Sequence, residues 1–189
     1  MSHPLSSPFV WLTVAVLVLG ALPRASAAQP SETSRSWTPV QIALWNPIQT
    51  FGEGFSVNGL RLSAIVGANQ DVTGLDLAGI VGLTQGNQTG LQFALYGEVG
   101  GDLTGWQIGG LAAEVDGRAR GLQTAALYNS AGEGTGVQIA AVLNRAERMR
   151  GLQISLVNWT DELDGVQIGL ININRKGWIP FFPLLNFGF

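Results

Sequence analysis

The chain has 189 residues, of which 26 are Gly, none is Cys and only one, His3, is His. Without Cys there is no disulfide framework and no thiolate nucleophile or ligand, and without a second His there is no Ser-His-Asp catalysis or His-ligated transition metal after residue 3. The net charge is −3, from 10 Lys and Arg against 13 Asp and Glu, so no global field attracts nucleic acid. We therefore expect no catalytic or metal-ligating residue, no cofactor and no nucleic-acid partner.

The N-terminal 27 residues have the pattern of a secretory signal peptide. An apolar run of 14 residues, Phe9 to Leu22, ends at a proline and is followed by the small triplet Ala25-Ser26-Ala27. A transmembrane helix needs about 20 apolar residues, so this shorter run predicts a signal peptide at 1–27, cleaved after Ala27. We expect export to the cell surface, the outer membrane or the periplasm. Residues 28–38 are predicted to be a flexible N-terminus.

A tandem repeat of about 15 residues begins at residue 59. Each of the eight copies starts with Gly, followed by an apolar residue, a polar residue, a fourth residue that is apolar in seven copies, and then Gly, Ala or Ser. The third residue is Gln in six copies, whereas Arg61 and Asp76 take its place in the first two. The structural residues of the repeat are then Gly59, Gly74, Gly90, Gly105, Gly121, Gly136, Gly151 and Gly165, with Gln92, Gln107, Gln123, Gln138, Gln153 and Gln167.

The segments on either side of the repeats complete the domain organisation. A degenerate copy with Pro39 in the Gly position precedes the block, and an aromatic and proline-rich segment follows it. We therefore assign a degenerate first repeat and N-terminal cap to 39–58, eight tandem repeats to 59–176 and a C-terminal cap to 177–189. Clustered aromatic residues, such as Trp37 and Trp45 before the block and Trp178 and Phe189 after it, are expected to cover the two open ends of the core.

The alternation of apolar and polar residues predicts a short β-strand in every copy, and hence an all-β fold. One architecture is a parallel β-solenoid of about eight to nine 15-residue coils, in which equivalent residues stack about 4.8 Å apart. The alternative is a small antiparallel outer-membrane β-barrel, because a strand of about ten residues and a turn of about five fill the same period. The likeness of odd and even copies favours the solenoid, whereas the terminal Phe189 is typical of a barrel's closing strand.

In the solenoid, each column of equivalent residues has one environment from end to end. The repeated glutamines are then expected to stack as an amide ladder, and Asn129, Asn144, Asn158 and Asn172 as a second one. Each repeat Gly marks a corner that needs a positive φ or lacks room for a Cβ.

The repeat resembles a known family at the level of its motif. The string G-[LVW]-Q-[IF]-[AGS]-x-[LIV], repeated every 15 to 16 residues between positions 39 and 174, resembles the bacterial surface-repeat family of exported proteins with tandem GLQIGLVN-like units. The closing segment KGWIPFFPLLNFGF is similar to the terminal segment of such chains. The resemblance implies export and an envelope or surface location, and it implies no activity.

Three further groups of residues could carry chemistry. The glycine-rich stretch Gly132–Gly136 lacks the Lys-Ser/Thr of a phosphate-binding loop and is interpreted as a turn. The carboxylates Glu133, Glu147, Asp161, Glu162 and Asp164 could line up across coils as a cation site or a paired-acid hydrolase site. The basic residues are interpreted as interleaved charges on a solvated face rather than an anion site: Arg118, Arg120, Arg145, Arg148 and Arg150.

Taken together, the sequence predicts an exported, non-enzymatic repeat protein that acts as a structural or interaction element of the cell envelope or surface. It would display a regular Gln- and Asn-bearing face to an unknown envelope or surface partner. The first alternative is a small integral outer-membrane barrel, or association with the outer membrane. The second is a carboxylate-dependent enzyme built on a solenoid.

Overall fold

The computed structural model of the protein describes residues 36–189, so the predicted signal peptide and most of the predicted flexible N-terminus lie outside the described residues. The strands are β1 (Trp37–Trp45), β2 (Ile48–Gln49), β3 (Ser56–Ser63), β4 (Val66–Asn69), β5 (Val72–Ala78), β6 (Val81–Thr84), β7 (Gln88–Val99), β8 (Leu103–Ala125), β9 (Tyr128–Ala140), β10 (Leu143–Ile154), β11 (Val157–Asn174) and β12 (Phe181–Gly188). Within residues 36–189 no helix is long and apolar enough to cross a bilayer.

Successive repeats stack in parallel and in register. Gly59 pairs with Gly74 and Gly74 with Gly90, and the same pairing of equivalent residues continues through β9, β10 and β11. The fold is a β-solenoid of about nine turns of about 15 residues, so the all-β parallel prediction is confirmed. The antiparallel alternative is wrong because equivalent strands of successive copies run in the same direction, and the integral outer-membrane protein inferred from it loses its structural basis.

Each turn of the solenoid is a flattened coil with two walls. The Gly wall consists of the five-residue segments that start at the repeat glycines, and the opposite wall consists of β4, β6 and the equivalent segments of the later strands. Side chains bond across the narrow space between them, as where Gln107 Nε2 donates to Glu114 O over 3.3 Å. Small residues and amides therefore fill most of the interior, with modest apolar clusters such as Val99, Leu103 and Val115.

The repeat Gly is required by both its backbone angle and its neighbour. Gly136 has a φ of +125°, and a Cβ added there would overlap the carbonyl oxygen of Gly121 in the preceding turn. Gly74, with a φ of +120°, meets Gly59 in the same way. Only glycine adopts this conformation without strain. The residue therefore fixes the phase of every coil.

Antiparallel strands close both ends of the stack. β2 pairs antiparallel with β1, and β12 pairs antiparallel with β11. At the N-terminal end the rings of Phe51 and Phe55 lie 5.2 Å apart and are half-buried. The expected aromatic cover is otherwise wrong, since Trp178 is 95% exposed and Phe189 is fully exposed. Backbone pairing rather than aromatic burial terminates the sheet.

Candidate functional site

The repeated glutamines lie inside the coil and not on its surface. Each of them is at most 2% exposed, as are Asn129, Asn144, Asn158 and Asn172. The expected display of a Gln- and Asn-bearing face is therefore wrong. The physical reason is that each amide finds its partner in the next turn, so burial leaves few donors or acceptors unmet.

The glutamine ladder is directional, and Asp76 sets its direction. A carboxylate can only accept, so Gln92 turns its Nε2 towards Asp76 Oδ2 (2.9 Å) and its Oε1 towards the next turn. Gln107 Nε2 donates to that oxygen over 2.9 Å, and the same step repeats at 2.7 to 2.9 Å through Gln167. Asn186 of β12 donates to the last oxygen.

A buried ion pair forms the head of this ladder. Arg61 Nε and Nη2 donate to the two carboxylate oxygens of Asp76 over 2.7 and 2.5 Å, and both side chains are fully buried. Arg61 also donates to Leu83 O across the coil over 2.7 Å. The two departures from Gln in the sequence are thus one compensating pair in adjacent turns, and the register there is undisturbed.

The asparagine ladder runs along the opposite wall and has the opposite direction. Asn129 Nδ2 donates to Asn144 Oδ1, Asn144 to Asn158, and Asn158 to Asn172, over 2.8 to 3.0 Å. Each also donates across the coil to the Gly wall, as where Asn144 bonds Ile154 O over 2.9 Å. Because the glutamine bonds point to the N-terminus and these point to the C-terminus, the two rows of amide dipoles partly cancel.

The outer surface of the Gly wall carries the side chains that the interior excludes. Two parallel columns, the first and third residues after each repeat Gly, run along it in register. The first column is Leu60, Leu75, Leu91, Trp106, Leu122, Val137, Leu152 and Val166, and the second is Leu62, Leu77, Phe93, Ile108, Thr124, Ile139, Ile154 and Ile168. Thr124 is the one polar member of either column.

An apolar corner borders these columns and extends the same surface. Its exposed members include Leu44, Ile80, Leu95, Leu111, Leu127, Val142, Leu156 and Leu170. The two columns and this corner are together called the apolar strip. The strip carries no charged side chain from the first turn to the last. Monomeric soluble proteins seldom expose contiguous apolar patches larger than a few hundred Å².

Most of the exposed charged residues gather at the other corner and alternate in sign along the stack. Arg148 lies between Glu133 (2.7 Å) and Glu162 (3.2 Å) of the neighbouring turns, and Lys176 bonds Glu162 over 2.8 Å. The pKa of Glu162 is lowered mainly by the hydrogen bond from Lys176 and to a smaller extent by the charge of Arg148. Interleaved charges of this kind neutralise one another on a solvated face.

The carboxylates suggested by the sequence do not form one uninterrupted column, because Arg148 lies between Glu133 and Glu162. Asp161 pairs with Arg175 (3.1 Å) and Asp164 with Arg150 (3.5 Å). Arg120 and Arg150 flank Thr135 in adjacent turns, while Arg145 lies apart on the opposite wall. Within residues 36–189 no three His, Cys, Asp or Glu residues are grouped to hold a metal ion.

A Tyr and two Glu form a half-buried cluster on the opposite wall that the sequence did not single out. Tyr96 Oη donates to Glu98 Oε2 over 3.1 Å, and Glu98 lies directly beside Glu114 of the next turn. Burial, and then the charge of Glu98, raises the pKa of Glu114. Burial, and then the two carboxylates, raises the pKa of Tyr96. The signal in the sequence was the 16-residue separation of two acidic residues.

A void inside the solenoid, between Leu103, Gly134 and Met149, is too small for a substrate. Its volume of about 10 Å³ holds at most one water. An open depression of about 380 Å³ lies at the charged corner between Asp102, Arg118 and Glu147. Arg118 donates to Asp102 from its backbone N–H and its guanidinium, which lowers the pKa of Asp102.

No family model, curated protein or solved structure matches this chain. The resemblance of the repeat to exported surface proteins therefore stays a prediction from its motif.

Proposed function

We propose that this chain is an exported, non-enzymatic structural or interaction element of the cell envelope or surface. The observation that supports the proposal is the apolar strip, which runs without a charge along the full solenoid. The polar residues of the repeat are bonded mostly inside the coil while this strip stays exposed, and burying apolar surface against another macromolecule is favourable at about 25 cal/mol per Å². The mechanism is then contact through a regular face rather than catalysis.

The predicted signal peptide supports the envelope part of the proposal and can be tested directly. In a bacterial host, we expect the full chain to be recovered from the envelope or the medium with Ala28 as its first residue, as read by mass spectrometry. A variant that lacks residues 2–27 is the control and is expected to remain in the cytoplasm. Recovery of the intact, uncleaved chain from the cytoplasm would contradict export.

The interaction part can be tested in cells by photo-crosslinking. A photoreactive amino acid replaces Phe93, which lies in the apolar strip and is 48% exposed, or in the control Thr89, which is exposed on the same strand outside the strip. We expect a discrete cross-linked product from position 93 and none from position 89. Absence of any product at position 93 would count against a contact function, whatever the partner.

A further inference from the structure

We infer that the apolar strip is a dimer interface, and that its occupant is the apolar strip of a second copy of this chain, packed face to face. The inference rests on the proposed function and names the partner. Two flat sheets that pack on each other through their apolar faces, about 10 Å apart, form a β-sandwich core divided between two chains. The outward Leu, Ile and Val of the Gly wall are the residue types that such a core uses.

The area of the strip is sufficient for a specific dimer interface. About nine turns of about 4.8 Å each make the strip roughly 43 Å long, and three columns about 6.7 Å apart span about 13 Å across it. This gives about 560 Å² per copy, at the upper end of the range of about 300–600 Å² for the largest apolar patch of a typical monomer. Two copies would bury about 1,100 Å² together, above the roughly 1,000 Å² that a specific interface needs.

The chemistry of the strip suits a symmetric contact. In an isologous dimer the same surface patch of both chains forms the interface, so a charged residue near its centre would lie close to the identical charge of the partner and be repelled by it. The strip carries no charge at all. Its ridges recur every turn, and the ridges of a second copy have the same spacing, so the two faces can interdigitate along their length.

The rest of the fold directs association to this face and stops it at two copies. Antiparallel β2 and β12 close the two ends, and β12 begins after Pro180 and contains Pro183, which blocks further strand pairing. The opposite wall carries Glu98, Glu114 and Arg145 on its outer side and offers no second strip. A bilayer surface is the less suitable occupant, because the net charge of −3 and the alternating charges of the other corner do not attract anionic lipid.

The test measures the molar mass of the protein in solution at a series of concentrations without detergent. The protein is purified in the form that the cell produces. The variant Ile139→Glu places a charge in the strip, where Ile139 is 40% exposed. The control Thr135→Glu places the same charge in the same strand, outside the strip and between two arginines. We expect a dimer for the wild type and the control. For Ile139→Glu the dimer should dissociate at least about 30-fold more readily, because a central interface residue carries about 2 kcal/mol or more.

A milder variant covers the case in which Ile139→Glu fails to fold. The chain has no Cys, so a single Thr124→Cys reports on the middle of the strip without background, and Ser130→Cys on the opposite wall is its control. A bismaleimide with a spacer of about 10 Å, the spacing of packed sheets, should join two copies through position 124 and not through position 130.

Three results would overturn the inference. One is a wild-type chain that is monomeric at every concentration, and another is a dimer that survives Ile139→Glu and is not linked through position 124. The third is a monomer that binds vesicles of phosphatidylethanolamine and phosphatidylglycerol and loses this binding with Ile139→Glu, because the strip would then be occupied by lipid. None of these results bears on export or on cross-linking to another protein at position 93. The proposed function can therefore hold even if the dimer inference is overturned.

Discussion

The two halves of the solenoid share one repeat but fill its interior differently. Along the inside of the opposite wall, Gly67, Gly82, Gly97 and Ala113 stack in register through the N-terminal half. The same column continues in the C-terminal half as Asn129, Asn144, Asn158 and Asn172. Across from the glycines the Gly wall carries the Arg61–Asp76 pair and Gln92, whereas across from the asparagines it carries glutamine alone.

The difference lies in how the walls are joined. In the N-terminal half the glycine column has no side chain to donate, and donors reach the opposite wall from the Gly wall, as from Arg61 to Leu83 O and from Gln92 to Gly82 O. In the C-terminal half donors cross both ways, from Gln123 to Ser130 O and from Asn129 to Ile139 O. At Gly67 the space is limited by Ser63, since an added Cβ would overlap the Ser63 side chain, whereas it would meet Arg61 Cδ at an ordinary contact distance of 3.7 Å.

Removing one member of the Arg61–Asp76 ion pair should destabilise the N-terminal half more than any other change considered below. Arg61→Ala leaves the Asp76 carboxylate buried and unpaired, which should lower the free energy of unfolding by about 3–5 kcal/mol. The double variant Arg61→Gln with Asp76→Gln continues the glutamine ladder to the first repeat and should restore most of this loss. Urea unfolding followed by circular dichroism measures both. A double variant no more stable than Arg61→Ala would contradict the role of the pair as head of the ladder.

The repeat glycine is common to both halves, so its substitution should lower the free energy of unfolding equally in both. Gly74→Ala and Gly136→Ala each force a Cβ residue to a φ near +120° and into the carbonyl oxygen of the preceding turn. Backbone strain of this kind costs about 1–3 kcal/mol and the overlap adds to it, so we expect each variant to lose about 3 kcal/mol in the same urea experiment. If the Gly74 variant were neutral while the Gly136 variant unfolded, the two halves would differ in their corners as well as in their interiors.

Interrupting the asparagine ladder tests the C-terminal half alone. Asn144→Ala removes its donor bonds to Gln138 O, Ile154 O and Asn158 Oδ1, and it deprives Asn129 of an acceptor. Leaving buried polar groups unmet costs about 1–3 kcal/mol, so thermal and urea unfolding should show a loss of about 2–3 kcal/mol. Ala113→Gly, in the same column but without a hydrogen bond, is the matched control and should cost about 1 kcal/mol. Equal losses for the two variants would mean that the ladder contributes nothing beyond packing.

How far the sequence predicts the structure can be judged from single repeat positions. The likeness of odd and even copies predicts parallel stacking, because equivalent residues share an environment only if all strands run the same way. The prediction that the repeated Gln is displayed on the surface is wrong, because the structure places it on the inner side of the Gly wall. The signal was present in the residue two positions after each Gln, which is always small, as at Ala94 and Ala140. Only the crowded interior needs that restriction.

The ion pair and the direction of the glutamine ladder depend on contacts between particular turns, which the average repeat pattern does not reveal. Arg61 and Asp76 each look like a departure from the repeat, and only their separation by one period identifies them as neighbours of opposite charge. The direction of the glutamine ladder follows from the acceptor at its head and not from the glutamines themselves. The apolar strip was present in the sequence as Leu, Val and Ile, but hydrophobic residues in alternation are ordinarily assigned to a core.

The boundary between the halves offers the smallest and most discriminating change. Asn129 Oδ1 is buried without a hydrogen-bond partner, and Ala113 lies directly beside it in the preceding turn. Because the asparagine ladder donates towards the C-terminus, Ala113→Asn should place its Nδ2 against that oxygen and extend the ladder by one turn. The new bond should raise the free energy of unfolding by up to about 1 kcal/mol, as measured by urea unfolding. Ala113→Leu is the control for added volume, and it should destabilise because it fills the same space without a donor. If both variants destabilised equally, the narrow interior rather than the missing partner would determine where the asparagine ladder ends.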